Sequence, residues 1–338
     1  MPITVYNRTH HARKVVRGTI ATCLVSCEAI AMSGYLRPPA REDPYGIWNA
    51  PPARDPSRVR VVTDSTATIL PSHAQALGIV VVPNRILLQG HVYRDAIDVT
   101  AAQFYTLFPR LGLGVETAPA SAEDFYSTYR WAFARGATSI VSIHASRRVS
   151  QVFSNAIAAR DALAPAVIDV IDSRLVGVGM WPAVVRAAKL ANMGVSLQAV
   201  HEQVAAVLAR TRLYTLLESL DYVSHGGRSP RAVSEFGPVV NALPILTYQD
   251  GEAVPVESVR TRQQGLQRLR DLALRQGEIE SLLVCGTSAE WIAQMEAVLV
   301  EEYHGPIEKT WLSPTVGVHT GPSIAIGIVQ SVNNGQQS

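Results

Sequence analysis

Apolar runs and amphipathic stretches alternate along the chain from Arg58 onward. The segment VRVVTDSTATILPSHAQALGIVVVPNRI predicts a buried strand, a polar turn, a short helix and a second buried strand. The same alternation predicts helices from about Thr100 and from Ser121, and a strand TSIVSI followed by a helix from about Ser150. A strand VIDVID and a long helix over residues 176–190 come next. Unbroken strands rich in Val and Ile that alternate with helices are typical of a parallel sheet covered on both faces.

The pattern becomes less regular after Arg212. Two extended runs flank Asp250-Gly251, which is a strong hairpin signal. A basic helix, the apolar strand SLLVCG and a further helix follow, before the closing run PTVGVHTGPSIAIGIVQ. We therefore predict an α/β fold with two domains: a parallel sheet flanked by helices over residues 58–212, and a mixed α+β domain over residues 213–332.

The first 57 residues have a different texture, because they are rich in proline and aperiodic toward their end. A basic start, a short apolar stretch and the letters LVSC resemble a lipoprotein signal, but Glu28 follows at once and the apolar stretch is short. We expect residues 1–57 to be a poorly ordered extension. The localisation that we expect is cytoplasmic.

Composition excludes several classes of protein. The chain has 338 residues, of which 47% are hydrophobic, so each of two domains can bury a core. The net charge of +2 and the charged fraction of 17% argue against a nucleic-acid partner. The three cysteines cannot form a disulfide framework, and no apolar run reaches the roughly 20 residues that span a bilayer.

Standard catalytic signatures are missing from the sequence. It contains no G-x-x-x-x-G-K-[ST], no G-x-G-x-x-G after the first strand, no H-E-x-x-H and no G-x-S-x-G. No histidines cluster with cysteines or carboxylates at ligand spacing, so we expect no metal site. The sequence also gives no reason to expect an organic cofactor.

Small hydroxylated residues collect where predicted strands give way to helices. They occur in TDSTA (63–67), TAPAS (117–121), SRRVS (146–150) and DSR (172–174). Taken singly, each is explained as a helix N-cap, because Ser, Thr and Asp are the preferred capping residues. Taken together, they would meet at the carboxyl ends of parallel strands, where ligands bind in open α/β sheets. Hydroxyl donors and helix N-termini at such an edge favour an anion, such as a carboxylate or a phosphate.

Seven stretches, in order and spacing, resemble the motifs of the DegV family, whose members include the fatty-acid-binding subunits of bacterial fatty acid kinase. They are TDSTA, TAPASAEDF, SRRVSQVFSNA, VIDS, LLESLDYVSHGGR, RTRQQGL and GVHTGPS, and they cover the chain from Arg58 to about Gln330. The resemblance implies a lipid-binding protein, not an enzyme, that holds one long-chain fatty acid and has no ATPase site. The loops that bind the lipid headgroup would lie in the domain of residues 58–212, and the domain of residues 213–332 would close over the ligand. It further implies a separate ATP-binding kinase subunit that converts the bound carboxylate into an acyl phosphate for phospholipid synthesis, with transient contact with a membrane surface.

The resemblance also implies roles for particular residues. The carboxylate would be bound by Thr117, Ser121, Ser146, Ser150 and His319. The headgroup or the partner's docking surface would be formed by Arg228, Arg260 and Arg262. Supporting positions would be Asp64, Ser65, Asp172, Ser173, Gly226 and Gly227.

The sequence departs from the usual family motifs. Ala118, Pro119 and Ala120 replace the middle of T-S-Q-P-S, Gln151 and Val152 stand where S-x-x-L-S-G-T has glycine and threonine, and Ser323 replaces the commoner glycine of the last motif. A glycine lets the backbone approach a ligand closely, so Gln151 could alter or plug the headgroup pocket.

Two alternatives to kinase coupling stay open from the sequence. One is a stand-alone lipid carrier or sensor. The other is a serine-dependent hydrolase in which Ser146 or Ser150 acts with His319 and an acid such as Asp172.

Overall fold

The computed structural model describes residues 59–236, 242–275 and 277–332. The predicted extension over residues 1–57, with its lipoprotein-like stretch, lies outside the described residues. The strands are β1 (Val59–Asp64), β2 (Val80–Val82), β3 (Arg85–Leu88), β4 (His91–Arg94), β5 (Glu116–Ala118), β6 (Ser139–His144), β7 (Ile168–Asp172), β8 (Thr211–Leu217), β9 (Leu243–Gln249), β10 (Glu252–Val259), β11 (Ile279–Gly286), β12 (Ile307–Trp311) and β13 (Ser323–Gln330). The helices are α1 (Pro71–Leu77), α2 (Ala101–Leu111), α3 (Ala122–Ala134), α4 (Val152–Ala162), α5 (Trp181–Asn192), α6 (Leu197–Arg210), α7 (Asp221–Gly226), α8 (Pro230–Phe236), α9 (Arg262–Leu274), α10 (Ala289–Leu299) and α11 (Pro314–Thr320).

The first part of the chain forms the predicted parallel sheet. Its four strands have the order β2-β1-β6-β7, and every pair is parallel. Strand β6 is buried along its whole length, and its polar residues Ser142 and His144 are hydrogen-bonded inside the protein. Helices flank the sheet, so the α/β class is confirmed. The carboxyl ends of β1 and β6 therefore lie side by side and bring their following loops together.

A small antiparallel sheet extends this first part. It has the order β4-β3-β5, and its strand β5 places Thr117 opposite Ile86 of β3. Helix α3 follows directly, with Ser121 as its N-cap. The loop that carries the TAPAS motif is therefore fixed by a strand on one side and a helix on the other.

The second part of the chain forms a six-stranded mixed sheet with the order β10-β9-β8-β13-β11-β12. The predicted hairpin is confirmed, because β9 and β10 are antiparallel and Asp250 and Gly251 both have positive φ, at 51° and 85°. The strands of this sheet all fall after residue 210. The boundary between residues 212 and 213 stays a prediction.

The two faces of the six-stranded sheet are covered differently. Tyr214 and Leu216 of β8 pack with Leu269 of α9 and Met295 of α10 in one apolar cluster. The alternate residues of the same strands turn toward the parallel-sheet part of the molecule, because successive side chains in a strand point to opposite faces. This second face forms one wall of the site described next. Among the described residues, no helix has the length and apolar character needed to cross a membrane.

Candidate functional site

A cavity lies between the face of the six-stranded sheet and the loops at the carboxyl ends of the parallel strands. It contains about 1050 Å³ of empty space, a value that includes the open mouth. The sheet contributes a row of mostly apolar side chains. They are Leu213, Thr215 and Leu217 of β8, Ala325 of β13 and Cys285 of β11. Burial raises the pKa of Cys285 to about 12, so its thiol is uncharged and acts as a small apolar group.

Four predicted site residues line the cavity together, although they come from four distant segments. They are Thr117 of β5, Ser150 before α4, Arg228 after α7 and His319 of α11. The hydroxyl of Thr117 lies 2.7 Å from Nε2 of His319. This set forms the polar end of an otherwise largely apolar cavity.

The imidazole of His319 is held in a tight and poorly solvated place. Burial lowers its pKa to about 4, with a further contribution from the positive charges of Arg228 and His225. The ring is therefore neutral near pH 7. Its Nδ1 is buried and has no hydrogen-bond partner within the described part of the chain. The backbone of Gly226 packs against the ring, since a Cβ at that position would lie 2.5 Å from Nδ1.

Ser150 and Arg228 add a hydroxyl and a cation to this end of the cavity. The Ser150 hydroxyl accepts a hydrogen bond from the N–H of Val152 at 3.3 Å, and it donates to no other described group. The exposed Arg228 donates to the carbonyl of Val149 at 3.4 Å. Its turn depends on Gly227, which has a positive φ of 59°. The polar end can thus offer hydroxyl, imidazole and guanidinium groups to one anion.

Ser121 and Ser146 do not line the cavity. The hydroxyl of Ser121 caps α3 in a capping box with Asp124, and Arg85 binds that aspartate in turn. Ser146 is fully buried and donates to the carbonyl of Gly251 at 2.7 Å. These two serines fix the loops next to the site: one holds the start of α3, and the other joins the β6–α4 loop to the β9–β10 hairpin.

Two of the predicted headgroup arginines also lie away from the cavity lining. Arg262 forms an ion pair with Glu218 at 2.6 Å and lies over the ring of Trp291, 4.4 Å from its centroid. The backbone N–H of Arg260 donates to the side chain of Gln264. Of the three predicted arginines, only Arg228 lines the cavity.

The predicted supporting residues Asp64 and Ser65 lie behind the cavity wall. Asp64 is fully buried and accepts hydrogen bonds from His144, Thr66 and Asn84. Burial alone would raise the pKa of this carboxyl, but the hydrogen bonds from His144 and Thr66 outweigh it and lower the pKa. Asn84 also bonds to Ser65, and it accepts the N–H of Ala120 at 2.9 Å. The loop that carries Thr117 is therefore tied to β1 through Asn84.

Asp172 and Ser173 have local partners. Asp172 pairs with the exposed Arg147 at 3.4 Å and accepts the N–H of Arg174. The Ser173 hydroxyl donates to the carbonyl of Leu175. Neither lines the cavity, so the structure does not assemble a serine, His319 and Asp172 into one catalytic group.

A different Ser–His–Asp series does exist in the parallel sheet. Ser142 lies 2.6 Å from Nε2 of His144, whose Nδ1 lies 2.9 Å from Asp64. All three side chains are completely buried, and Ser142 also accepts a hydrogen bond from Tyr129. A nucleophile needs access to its substrate, so this series is a structural network. His144 is therefore structural.

The departures from the family motifs have clear positions. Ala118 and Pro119 line the cavity, whereas Gln151 is exposed before α4 and does not line it. Gln151 therefore does not plug the pocket. Ser323 is fully buried and donates to the carbonyl of Gly321 at 3.0 Å, so its extra hydroxyl is used locally.

Several residues around the cavity were not expected from the sequence. Asn84 and Thr66 contact both the cavity and the Asp64 network, and Thr315 of α11 lines the cavity while donating to Asp95 at 2.8 Å. Thr215 and Tyr248 place hydroxyls in the sheet wall. The signal for Thr215 and Tyr248 was their position in strands whose other inward residues are apolar. Within the described residues, no group of His, Cys, Asp and Glu side chains could hold a metal ion.

Comparison with known proteins gives consistent matches over the described part of the chain. A family model described as uncharacterised protein, DegV family, matches residues 58–331. A DegV domain-containing protein of Caldanaerobacter subterraneus is 30% identical over 273 residues, which cover 79% of this chain and 97% of that protein. Another of Halalkalibacterium halodurans is 25% identical over 284 residues, covering 78% and 95%.

Solved structures share the fold. A structure described as fatty acid binding of a DegV family protein from Thermus thermophilus has a TM-score of 0.74 at 23% identity, covering 81% of this chain and all of that one. DegV of Bacillus subtilis, described as a fatty acid binding protein, has a TM-score of 0.73 at 22% identity, covering 81% and 99%. A stearic acid-binding protein from Eubacterium ventriosum has a TM-score of 0.69 at 21% identity, covering 80% and 98%.

Proposed function

Because this chain belongs to the DegV family, we propose that it binds one long-chain fatty acid, with the acyl chain in the cavity and the carboxylate at its polar end. Thr117, Ser150 and His319 bind the carboxylate directly, and Arg228 supplies positive charge at the mouth. Ser121 and Ser146 hold the loops that carry this set. Similar proteins that bind fatty acids, stearic acid among them, support the ligand class.

The headgroup chemistry favours a carboxylate. A buried carboxylate without hydrogen bonds would be driven to protonate, so it needs hydrogen-bond donors at the polar end of the cavity. Hydroxyls and a neutral imidazole supply them, and each hydrogen bond to a charged acceptor contributes about 1.5 to 3 kcal/mol. Because His319 is neutral near pH 7, it holds the ligand without a permanent buried ion pair. Arg228 is exposed, so its charge attracts the anion and does not trap it.

The acyl chain supplies most of the gross affinity. Each buried CH₂ contributes about 0.8 kcal/mol, so a chain of roughly sixteen carbons has ample gross affinity before the cost of ordering it. The row of side chains from Leu213 to Leu217, with Ala325 and Cys285, gives this chain an apolar wall. Chain preference then follows from the shape of the cavity.

The second step of the proposed function is presentation of the carboxylate to a separate ATP-binding kinase subunit. A carboxylate oxygen would attack the γ-phosphorus of ATP, giving an acyl phosphate and ADP for use in cytoplasmic phospholipid synthesis, with transient contact with a membrane surface. The sequence has no phosphate-binding G-x-x-x-x-G-K-[ST] loop of its own, in keeping with a non-enzymatic subunit. Arg228, exposed at the cavity mouth, is the residue that the partner or its nucleotide would meet.

The observation that carries the proposal is the Thr117–His319 contact at the end of a largely apolar cavity. Native mass spectrometry of the freshly purified chain should show a bound mass equal to a long-chain fatty acid. Thr117→Val should lower the affinity for that acid about tenfold or more, because one donor is lost. Thr106→Val is the matched control, since Thr106 is exposed on α2 and bonds only to Ala102. Absence of bound lipid, together with no binding of added fatty acid, would refute the function.

The kinase step needs its own test. The lipid-loaded chain is mixed with ATP and the ATP-binding subunit of a bacterial fatty acid kinase, and acyl phosphate is trapped with hydroxylamine. We expect acyl hydroxamate, and a lower yield with Arg228→Ala at equal lipid loading. Normal lipid binding with no hydroxamate would leave the stand-alone carrier or sensor as the function.

A further inference from the structure

The polar side chains of the cavity wall differ in whether they have partners. Thr66, Asn84 and Thr315 line the cavity, but they donate hydrogen bonds to carboxylates behind its wall. Thr66 and Asn84 donate to Asp64, and Thr315 donates to Asp95. The carboxylate-binding set forms a second group at the polar end. A third group remains on the sheet wall: the hydroxyls of Thr215 and Tyr248.

The side-chain hydroxyls of Thr215 and Tyr248 have no hydrogen-bond partner among the residues that the structure describes, although both residues line the cavity. Burial alone raises the pKa of Tyr248, and no hydrogen bond opposes this shift. By contrast, the neighbouring Thr247 donates to the carbonyl of Leu213 at 2.8 Å. Among the described residues of the sheet wall, Thr215 and Tyr248 are therefore the ones whose hydroxyls lack a partner.

The two hydroxyl residues are neighbours on one face of the sheet. Thr215 of β8 pairs with Leu246 of β9, and Tyr248 follows Leu246 by two residues, so their side chains share a face. Such diagonal neighbours lie roughly 7 to 8 Å apart, within reach of a long side chain such as tyrosine. Their surroundings are apolar: Ala325 lies opposite Thr215 on β13, and Ala253 lies opposite Tyr248 on β10.

A plain alkyl chain is a poor complement for this part of the wall. It would remove water from both hydroxyls and give them no partner, and an unsatisfied buried polar group costs free energy. A ligand that carries a hydroxyl at this depth would instead both donate and accept a hydrogen bond there. A site that hydrogen-bonds a ligand hydroxyl discriminates strongly against the analogue that lacks it.

We propose that the preferred ligand is a long-chain fatty acid with a hydroxyl group on the middle of its acyl chain, recognised by Thr215 and Tyr248. This inference rests on the proposed function, because it assumes that the acyl chain occupies the cavity. It deepens that function by naming the class of acid. Thr215 and Tyr248 are specificity residues, while the carboxylate is held by the other end of the site.

The test compares dissociation constants for octadecanoic acid and for a panel of octadecanoic acids with one hydroxyl at each successive mid-chain carbon. Wild-type protein should bind at least one hydroxy acid about tenfold more tightly than the plain acid, equivalent to about 1.4 kcal/mol. Tyr248→Phe and Thr215→Val should each reduce that ratio, because each variant loses one of the two hydroxyls that recognise the ligand hydroxyl. Tyr214→Phe is the matched control, because Tyr214 lies on the opposite face of the same sheet.

The outcomes separate the inference from the function on which it rests. If octadecanoic acid binds as tightly as every hydroxy acid in the panel, the preference is refuted and fatty-acid binding stands. If the preference exists but survives both substitutions, the assignment to Thr215 and Tyr248 is wrong. If no acid of either kind binds, both the inference and the proposed function fail.

Discussion

The hydroxyl of Thr117 lies 2.7 Å from Nε2 of His319, although 202 positions separate the two residues. The contact joins strand β5, attached to the parallel-sheet part, to helix α11, which belongs to the six-stranded part. The polar end of the cavity therefore exists only when both parts are folded and in contact. Stability and ligand binding should accordingly respond together to changes at this contact.

The protonation of His319 should make stability depend on pH. Its pKa is about 4 in the folded protein and about 6.5 in the unfolded chain, so between these values the unfolded state binds the additional proton. Protonation of His319 should therefore not lower the free energy of unfolding above about pH 6.5. As the pH drops to about 4, it should lower the free energy of unfolding by roughly 3 kcal/mol. Denaturant unfolding over this window measures the slope. His319→Gln should flatten it, and an unchanged slope in the variant would contradict the assignment.

Gly226 should be required for the position of the His319 ring. An added Cβ would lie 2.5 Å from Nδ1, so Gly226→Ala should displace the imidazole and weaken fatty-acid binding about tenfold or more. The adjacent Gly227 is the matched control. A Cβ there meets nothing within 4 Å, but φ is +59°, so Gly227→Ala should cost about 1 to 2 kcal/mol of stability and little affinity. Equal losses of affinity in the two variants, measured by titration calorimetry, would contradict this role.

Much of the alternation of strands and helices could be predicted from the sequence because its signals are local, but the small sheet of β3, β4 and β5 was not predicted. Continuous runs of Val and Ile, and the Asp250-Gly251 turn, can be recognised without knowledge of a distant partner. One boundary differed: the long helix predicted from residue 176 begins at Trp181, because a turn at Gly177–Gly179 comes first and Gly177 has a positive φ of 56°. Gly177 of that turn lines the cavity, so the predicted start of the helix was wrong at a segment that forms part of the candidate site.

The candidate site was only partly predictable. Thr117, Ser150, Arg228 and His319 were found through their motifs, and the structure brings them together. Ser121 has the same residue type and the same kind of turn, but its hydroxyl serves helix α3. Sequence cannot separate a capping hydroxyl from a ligand-facing one, because the direction of the side chain depends on the partner that tertiary packing provides.

Asp95 should act as a clamp between the two parts of the molecule. Its Oδ2 accepts hydrogen bonds from Ser313 at 2.5 Å and from Thr315 at 2.8 Å, at the start of the helix that carries His319. Asp95→Ala would leave both buried hydroxyls without this acceptor, so we expect a loss of roughly 2 to 4 kcal/mol in the free energy of unfolding. Fatty-acid affinity should fall as well, because α11 loses its anchor.

Two comparison variants make the Asp95 prediction specific. Asp95→Asn keeps one acceptor oxygen and should lose less of both stability and affinity. Asp161→Ala should change neither, because Asp161 is exposed and its side chain pairs with the adjacent Arg160. Denaturation and ligand titration of the three variants measure the two losses. If folded Asp95→Ala binds fatty acid as tightly as the wild type, the predicted effect of Asp95 on the binding site is wrong.

A larger side chain at Ala325 should shorten the acyl chain that the cavity can hold. This residue lines the cavity on β13, between Thr215 of β8 and Cys285 of β11. Ala325→Leu extends a side chain into space that the acyl chain would occupy, so affinity for octadecanoic acid should fall about tenfold or more, while a medium-chain acid should bind nearly as before. Ala273→Leu on α9 is the matched control for size. Ala273 is fully buried and lies outside the cavity lining, so the same enlargement should cost about 1 to 3 kcal/mol of stability by overpacking and leave chain preference unchanged. If Ala325→Leu binds both acids as the wild type does, the acyl chain does not run along this face of the sheet.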